Sequence, residues 1–359
     1  MRNTAAPITQ KDLAIALGLS QSTVSMALRG HASIPEETRH KIRSAAENLG
    51  YRPNPMGTVL AHLKHASREH PVGAALAWLN AWPEPGKLRA RREFDHYWRG
   101  ASDAAQSLGY HMEEFIVNDS TSMAWFARIL KTRNIAGIII PPGPLPRGWR
   151  DFDWDGFSVV RLQHSTSKDD LRSVCVTSHQ VSNALLACQT MIGKGYRRIG
   201  FVGLRLQDRL NGAGSLWAQR MSGGAGQVEP LLFSHGTHRG DPVPWQTCQE
   251  QFERWFKTER PDAILTEIPE LATLIERAGL RVPDDVAVAT LGTLDSEFDA
   301  GIDQNPLEIG KAGVMTLHSL IATGTKGIPA VPWDTLIPGS WVNGRSLPEK
   351  LVIDHRMVG

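Results

Sequence analysis

Residues 9–30 combine two short helices with a polar face that could recognise another molecule. Thr9 is a good N-cap with Asp12 three residues later, and Gly18 can adopt the positive φ that ends a helix. Ser20 caps a second helix, which we expect to end at Gly30 and whose outward face holds short, uncharged side chains: Gln21, Ser22, Thr23, Ser25 and Met26. Such a face fits the major groove of DNA, where donors and acceptors on the base edges carry the sequence. The alternative is a small helical bundle with an ordinary polar face.

These two helices need a third to close their core, because so short a pair cannot bury both apolar faces alone. Residues 33–36 predict its start, with Ser33 as the cap, Pro35 in the first turn and Glu36 completing a capping box. Ile42 and Ala46 continue the apolar stripe. The sequence therefore predicts a three-helix headpiece of the helix-turn-helix type.

Positive charge is concentrated at the start of the chain. Residues 1–70 contain nine Lys and Arg against five Asp and Glu, a net charge of +4, whereas the whole chain carries only +2. The remainder therefore carries −2. This division favours a headpiece that faces a polyanion and a body that does not.

A proline-bounded linker follows the headpiece. Tyr51 is followed by Arg-Pro-Asn-Pro, which cannot continue a helix because the residue before each proline is pushed out of the α region. Asn54 can cap a new helix of about eight residues, which is too short to be stable without a partner.

From about residue 72 the chain alternates between apolar strands and helices, with clear strand signals at 135–140 and 263–266. Alternation of this kind predicts parallel sheets built from βαβ units. More than eight strands over the remaining length favour two α/β lobes rather than one sheet.

Several other chemistries are disfavoured. The three cysteines, at 175, 188 and 248, are far apart and contain no CxxC pair, so we expect neither a disulfide framework nor a zinc site, as in a reducing cytoplasm. The histidine pairs 62/65 and 235/238 have no third ligand nearby, and the aspartates at 151, 153 and 155 lack the last ligand of a calcium loop. No cofactor motif, nucleophile elbow, signal peptide or long apolar span is present, so we expect no cofactor, no catalysis and no membrane partner.

The headpiece, the Tyr-x-Pro-Asn hinge and the two-lobed core together resemble the lactose-repressor (LacI) family of bacterial transcription regulators. The most specific parts are residues 8–54, 279–286 and 304–310, and residues 195–200 are similar to the family's Gly-His-Arg-Arg-Ile segment, with Tyr196 in place of His. The resemblance implies a homodimer that binds a near-palindromic DNA operator and acts as a repressor.

The resemblance also implies roles for individual residues. Gln21, Ser22 and Met26 would face base edges, and Leu60 would wedge into the minor groove. Phosphate contacts would come from a longer set: Thr9, Ser20, Thr23, Ser25, Thr38, Arg39, Tyr51 and Asn54. Met26 stands where many relatives have a basic residue, and it cannot make a bidentate contact to guanine.

For the core, the resemblance implies two periplasmic-binding-protein-like lobes with a sugar-like effector between them. Gln304 matches the family pattern, but Gly292 replaces an expected Asp, with Asp295 nearby. Residues 267–270 and 178–179 also depart from the usual polar anchors. Trp82, Trp98 and Trp217 are candidates to line the cleft beside Asp295 and Gln304, although most of the 11 tryptophans are expected in the core or a dimer interface.

The predicted organisation is a headpiece at 1–53, a hinge helix and linker at 54–70, and a two-lobed core at 71–359. We expect the first lobe at about 71–178 plus 304–331 and the second at about 179–303 plus 332–359. Two alternatives stay open. The core could serve dimerisation only, or the chain could be a sugar-binding sensor or enzyme with a vestigial headpiece.

Overall fold

The computed structural model describes residues 8–28, 33–51, 74–164, 171–205, 209–221, 227–234 and 245–350. Several residues of the predictions lie outside these ranges: Gly30, Asn54, Leu60, His62, His65, His235 and His238. The chain divides into two compact units, Met1–Glu69 and His70–Gly359.

The first unit is the three-helix headpiece, formed by α1 (Gln10–Leu17), α2 (Gln21–Leu28) and α3 (Glu36–Asn48). Its small core contains side chains from all three helices: Leu13, Ala14, Val24, Ala27, Ile42 and Ala46. The capping box of Thr9 and Asp12 is present, and Gly18 has φ 67° at the end of α1. Both local predictions for the first helix are therefore confirmed.

The start of α3 differs from the prediction. Pro35, not Ser33, occupies the N-cap position, and the Pro35 side chain makes no cap hydrogen bond. Pro35 has φ −55° and ψ 146°, and this extended backbone places the first helical residue at Glu36. The proline ring fixes φ at this position but supplies no side-chain acceptor for the first N–H groups of α3.

The described residues of the second unit form twelve strands: β1 (Ala75–Asn80), β2 (His111–Ile116), β3 (Ile135–Ile140), β4 (Ser158–Arg161), β5 (Val174–Ser178), β6 (Ile199–Leu204), β7 (Leu231–Phe233), β8 (Ala263–Thr266), β9 (Ala287–Thr290), β10 (Gly301–Asp303), β11 (Asp334–Ile337) and β12 (Ser340–Val342). They form two six-stranded sheets of order β11-β5-β4-β3-β1-β2 and β12-β10-β9-β8-β6-β7. The pairs are parallel except β10 with β12. The predicted α/β architecture with two sheets is confirmed.

Helices cover the two sheets: α4 (Pro85–Ala90), α5 (Arg92–Ser107), α6 (Met123–Thr132), α7 (Gln180–Gly193), α8 (Arg209–Met221), α9 (Trp245–Glu259), α10 (Leu271–Arg277) and α11 (Pro306–Thr323). No helix in the described ranges is long and apolar enough to cross a membrane.

The chain crosses between the lobes after β5, after β10 and after β11. The sequence prediction assigned residues 332–359 to the second lobe, but β11 pairs with β5 in the first sheet. The last crossing therefore falls after Ile337, because β11 forms the edge strand of the first sheet before the chain continues into β12, which pairs with β10.

Candidate DNA-binding surface and interlobe cleft

The start of α2 is fixed by hydroxyl groups. Thr23 donates its backbone N–H to Ser20 Oγ at 3.1 Å, and the same Oγ lies 2.8 Å from both Ser22 Oγ and Thr23 Oγ1. Ser20 therefore caps the helix as predicted. A capped N-terminus with its positive dipole end and small hydroxyl side chains is well suited to meet a phosphate oxygen.

The outward face of α2 is divided between exposed and packed residues. Gln21 and Ser22 are exposed, whereas Thr23, Ser25 and Met26 are half-buried. Met26 packs against the headpiece core that contains Val24 and Ala27. Of the three predicted base-reading residues, Gln21 and Ser22 are thus the two whose side chains the headpiece leaves free of its core.

Two of the remaining described phosphate candidates, Thr9 and Arg39, have partners within the headpiece. Thr9 is held by Asp12, whose Oδ2 accepts the Thr9 N–H at 2.8 Å and the Thr9 hydroxyl at 2.6 Å. Arg39 forms an ion pair with Glu36 one turn earlier in α3. Thr38 and Tyr51 are half-buried. These contacts orient the helix ends, and a phosphate would have to compete with Glu36 for the Arg39 guanidinium.

In the second unit, polar groups from both lobes meet at the carboxyl ends of the parallel strands. Glu93 and Tyr97 lie on α5 of the first lobe, and Tyr97 Oη donates to Glu93 Oε1 at 3.2 Å. Glu267 follows β8, Asp295 follows β9 and Gln304 follows β10. In open α/β sheets, ligands bind in the crevice outside these strand ends. This meeting place is called the interlobe cleft below.

Asp295 joins the two lobes directly. Its Oδ1 accepts the backbone N–H of Arg92 at 2.8 Å, and its Oδ2 accepts that of Glu93 at 3.0 Å. The Arg92 guanidinium also donates to the carbonyl oxygen of Leu294 at 3.1 Å. The residue that precedes α5 supplies no side-chain cap, so Asp295 caps this helix from the opposite lobe.

Glu93 is a carboxyl group in an unfavourable place for charge. Desolvation in the cleft raises its pKa to about 7, and the charges of Asp295 and Asp303 act in the same direction. Arg91 and the Tyr97 hydroxyl oppose this rise. Burial raises the pKa of Tyr97 well above its ordinary value as well, with a further contribution from Glu93. The cleft therefore favours the protonated form of Glu93 over the carboxylate.

Glu267 and Gln304 form a second polar group in the cleft. Gln304 is buried, and its Nε2 donates to the Leu291 carbonyl at 2.7 Å and to Glu267 Oε1 at 3.2 Å. The other carboxyl oxygen of Glu267 accepts from Asn211 Nδ2 at 2.5 Å. Asn211 lies on α8, so this group links β8, β10 and α8 within the second lobe.

Gly292 stands where the family resemblance led us to expect an Asp, and its missing side chain leaves room for cleft groups. A Cβ at this position would lie 3.4 Å from Gln304 Nε2 and 3.8 Å from Glu93 Oε2. A carboxylate there would press against Glu93. The cleft thus carries its acidic groups on Glu93, Glu267 and Asp295 instead.

The three candidate tryptophans occupy different places. Trp82 follows β1, donates Nε1–H to the Pro142 carbonyl at 2.7 Å and contacts Phe94 edge to face. Trp98 is half-buried on α5, packs edge to face on Trp78 and lies under the Arg89 guanidinium. Trp217 is 58 % exposed on α8 and lines a separate depression with Gln227 and Glu229. The structure therefore brings Asp295 and Gln304 together at the cleft but does not bring Trp217 to them.

Sequence reasoning missed the residues that define the cleft chemistry: Glu93, Tyr97 and Asn211. Glu93 and Tyr97 are one helical turn apart and share a face of α5, which was the available signal. Glu267 was noticed only as a departure from a family pattern, and its partners Asn211 and Gln304 come from distant parts of the chain.

The comparisons with known proteins agree with this architecture. Residues 9–54 match the model of bacterial regulatory proteins of the lacI family, and residues 188–347 match that of the periplasmic binding protein-like domain. The HTH-type transcriptional regulator MalR of Streptococcus pneumoniae is 42 % identical over 328 residues, covering 88 % of this chain and 93 % of the relative. Catabolite control protein A of Staphylococcus epidermidis is 24 % identical over 292 residues, covering 78 % and 81 %.

Solved structures share the fold. The transcriptional regulator CelR in complex with cellobiose has a TM-score of 0.57 at 17 % identity, covering 94 % of this chain and 99 % of that one. The Lac repressor dimer bound to operator and an anti-inducer has a TM-score of 0.53 at 18 % identity, covering 96 % and 100 %.

A helix-turn-helix headpiece followed by a two-lobed, periplasmic-binding-protein-like core defines a class of DNA-binding regulator. The chain belongs to the lacI family of bacterial regulatory proteins, whose members are transcriptional regulators.

Proposed function

We propose that this protein is a repressor that binds a near-palindromic operator as a homodimer, with α2 of each headpiece in the major groove. The observation that carries this proposal is the exposed, uncharged face of Gln21 and Ser22 on a helix whose start is capped by Ser20. The Gln21 amide can form two hydrogen bonds with adenine, and the Ser22 hydroxyl can donate a hydrogen bond to a base or accept one from it. Met26 contributes apolar contact, such as to a thymine methyl group, with the part of its side chain that the core does not cover.

In this proposal, contacts to the DNA backbone add to the contacts that α2 makes with the bases. Thr9, Ser20, Thr23, Ser25, Thr38, Arg39, Tyr51 and Asn54 contact phosphates, and Leu60 wedges into the minor groove. Affinity then depends strongly on salt, because each neutralised phosphate releases counterions. We further propose that the protein works in the cytoplasm and has no catalytic activity.

For the effector, we propose a neutral, sugar-like molecule in the interlobe cleft. Glu93, Glu267 and Asp295 contribute carboxyl groups to the cleft, and Asp303 adds a further charge that acts on Glu93. Carboxylates accept hydrogen bonds from ligand hydroxyl groups and repel anions. Trp82 offers an apolar ring at the edge of β1 on which a sugar face could stack.

A second candidate is a regulator whose core serves dimerisation without an effector. It is favoured by the internal pairing of the cleft: Glu267 is bonded to Asn211 and Gln304, and Asp295 is bonded to α5. A ligand would have to replace these bonds. Thermal-shift measurements with a panel of neutral sugars separate the two candidates, since a ligand at 100 times its dissociation constant adds about 2.7 kcal/mol of stability.

The operator proposal is tested by selecting bound sequences from a random DNA pool. We expect a near-palindromic motif, bound less tightly as salt rises between about 50 and 200 mM. Gln21→Ala should weaken binding to the motif by about 1–3 kcal/mol and relax the preference at one position in each half-site.

Asn48→Ala is the matched control, because it removes an exposed amide from the last turn of α3, away from the proposed reading face. If no motif is enriched, the operator proposal fails. If Gln21→Ala and Asn48→Ala bind every selected sequence alike, the assignment of Gln21 to base reading fails.

A further inference from the structure

Three side chains of different donor chemistry converge in the first lobe. His164, Cys175 and Asp334 place one ligand atom each within 4.8 Å of the others, and they are the one such group among the described residues. His164 Nδ1 lies 3.6 Å from Asp334 Oδ2.

The sheet explains why these residues meet. Cys175 on β5 is directly opposite Asp334 on β11, and Arg161 at the end of β4 is directly opposite Cys175. Partners in register on neighbouring strands project to the same face of a sheet. His164 follows β4 by three residues. Because β4 and β11 flank β5 on opposite sides, His164 approaches Cys175 from the side opposite Asp334.

Exposure changes in steps across the group. Cys175 is 4 % exposed, the His164 side chain is 21 % exposed and the Asp334 side chain is 49 % exposed. The Cys175 thiol is therefore the most buried of the three groups, and the Asp334 carboxylate is the most exposed to solvent. Three protein ligands with one open side are the arrangement of metal sites that keep a fourth position for water or a ligand.

We propose that His164, Cys175 and Asp334 bind a divalent transition-metal ion of the zinc type. A thiolate, an imidazole and a carboxylate together suit zinc, whereas calcium and magnesium require oxygen ligands and would find only one such residue here. Bond lengths of about 2.0–2.3 Å place ligand atoms of a tetrahedral site roughly 3.3–3.8 Å apart, so small movements of the half-exposed Asp334 and His164 suffice.

The two anionic ligands match the charge of a divalent ion. On binding, the Cys175 thiol releases its proton to solvent, and the thiolate and the Asp334 carboxylate together neutralise the two positive charges of the metal. Without metal, burial and the neighbouring Asp334 raise the pKa of Cys175 to about 12, so the thiol keeps its proton. The nearby guanidinium groups are Arg161, which lowers the pKa of Cys175, and Arg209 of the second lobe, which lowers that of His164.

The position of the site gives the metal a structural consequence. Cys175 and Asp334 lie on β5 and β11, the two strands from which the chain passes directly into the second lobe. A bound ion would tether these crossover strands to each other and to the end of β4. We therefore expect zinc to raise the unfolding temperature of the full-length protein.

The test uses full-length protein stripped of metal with a chelator and titrated with CoCl2, followed by displacement with ZnCl2. We expect a near-ultraviolet thiolate-to-cobalt charge-transfer band that saturates at one ion per chain and disappears when zinc is added. Calorimetry of zinc binding in two buffers of different ionisation enthalpy should report release of about one proton, because only the thiol must deprotonate.

Cys175→Ser should abolish the cobalt band, and His164→Gln and Asp334→Asn should each weaken zinc affinity at least about tenfold. Cys188→Ser is the matched control, since Cys188 is also buried but lies beside Ser215 in the second lobe. The half-exposed His164 and Asp334 give variants that test the site even if Cys175→Ser does not fold. The absence of a thiolate band in the wild-type protein, or affinities unchanged in His164→Gln and Asp334→Asn, would overturn the proposal.

Discussion

The carboxyl group of Glu93 is the clearest case of a group whose burial in the cleft lowers the stability of the folded state. Its carboxyl group has a pKa of about 7, compared with 4.5 for the free side chain, because the closed cleft desolvates it and the nearby aspartates repel its charge. The stability that this group contributes is fully present below pH 4.5 and is lost as pH rises through 7. Above neutral pH, the ionised Glu93 therefore destabilises the folded core.

We predict that Glu93→Gln raises the stability of the protein at pH 8 by about 1–2 kcal/mol, with a smaller gain at pH 5. This gain is smaller than the full pKa shift implies, because Glu93 is only half-buried and solvent screens part of the effect. Glutamine keeps an acceptor for the Tyr97 hydroxyl. The measurement is the unfolding midpoint of both proteins in urea as a function of pH.

The control for this prediction is Glu84→Gln, since Glu84 is a 68 % exposed carboxylate paired with Lys87 on α4. It should change stability little at either pH. A gain for Glu93→Gln that is the same at pH 5 and pH 8 would contradict the idea that charge on Glu93 is the cause.

Among the elements, α5 and α11 are packed so closely that glycine is required where they cross. An ideal Cβ at Gly310 would lie 2.1 Å from the Tyr97 carbonyl oxygen and 2.9 Å from the Ala101 nitrogen, both backbone atoms of α5. Tyr97, whose carbonyl faces Gly310, is also the residue whose hydroxyl donates to Glu93 in the cleft.

We predict that Gly310→Ala destabilises the core by about 1–3 kcal/mol, because the added methyl forces two helix backbones apart. The matched control is Gly193→Ala at the end of α7, where a Cβ would meet no atom within 4 Å. That variant should be neutral or gain up to about 1 kcal/mol from the better helix former. Thermal unfolding of both variants is the check, and equal midpoints would show that α5 can move away without loss.

The elements were predictable where their signals are local. The Thr9–Asp12 box and Gly18 determine the ends of α1 within a few residues, and the apolar runs 135–140 and 263–266 became β3 and β8 with the same bounds. The cleft was not predictable in this way. Its bonds join Asn211, Glu267 and Gln304, and their proximity depends on strand order and on the lobe crossings rather than on neighbours in the sequence.

The same limit applies to side chains whose partners are tertiary. The amphipathic pattern placed Met26 on the outward face of α2, yet the long flexible side chain also packs on the headpiece core. Trp217 was grouped with the cleft by residue type alone, and the structure places it on an exposed part of α8 instead.

At the scale of the molecule, the Asp295 carboxylate links the two lobes of the core. Asp295 of the second lobe accepts both N–H groups that start α5 of the first lobe, and these groups have no cap from their own lobe. A regulator that responds to an effector needs two arrangements of its lobes that differ by a small free energy. Hydrogen bonds to a carboxylate contribute about 1.5–3 kcal/mol, which is enough to bias such an equilibrium.

We predict that Asp295→Ala favours the open arrangement of the lobes. The backbone amides of Arg92 and Glu93 should exchange with deuterium at least about tenfold faster, since loss of about 1.4 kcal/mol changes an equilibrium by that factor. The substitution removes the Asp295 charge and opening admits water, so the pKa of Glu93 should fall. Hydrogen-exchange mass spectrometry of the peptide containing residues 92–97 measures the first effect.

Asp285→Ala is the control, because Asp285 is bonded only within its own lobe to Arg281 in the described structure. Equal exchange in the two variants would show that the lobes stay closed without Asp295 and that the cleft is held by packing alone.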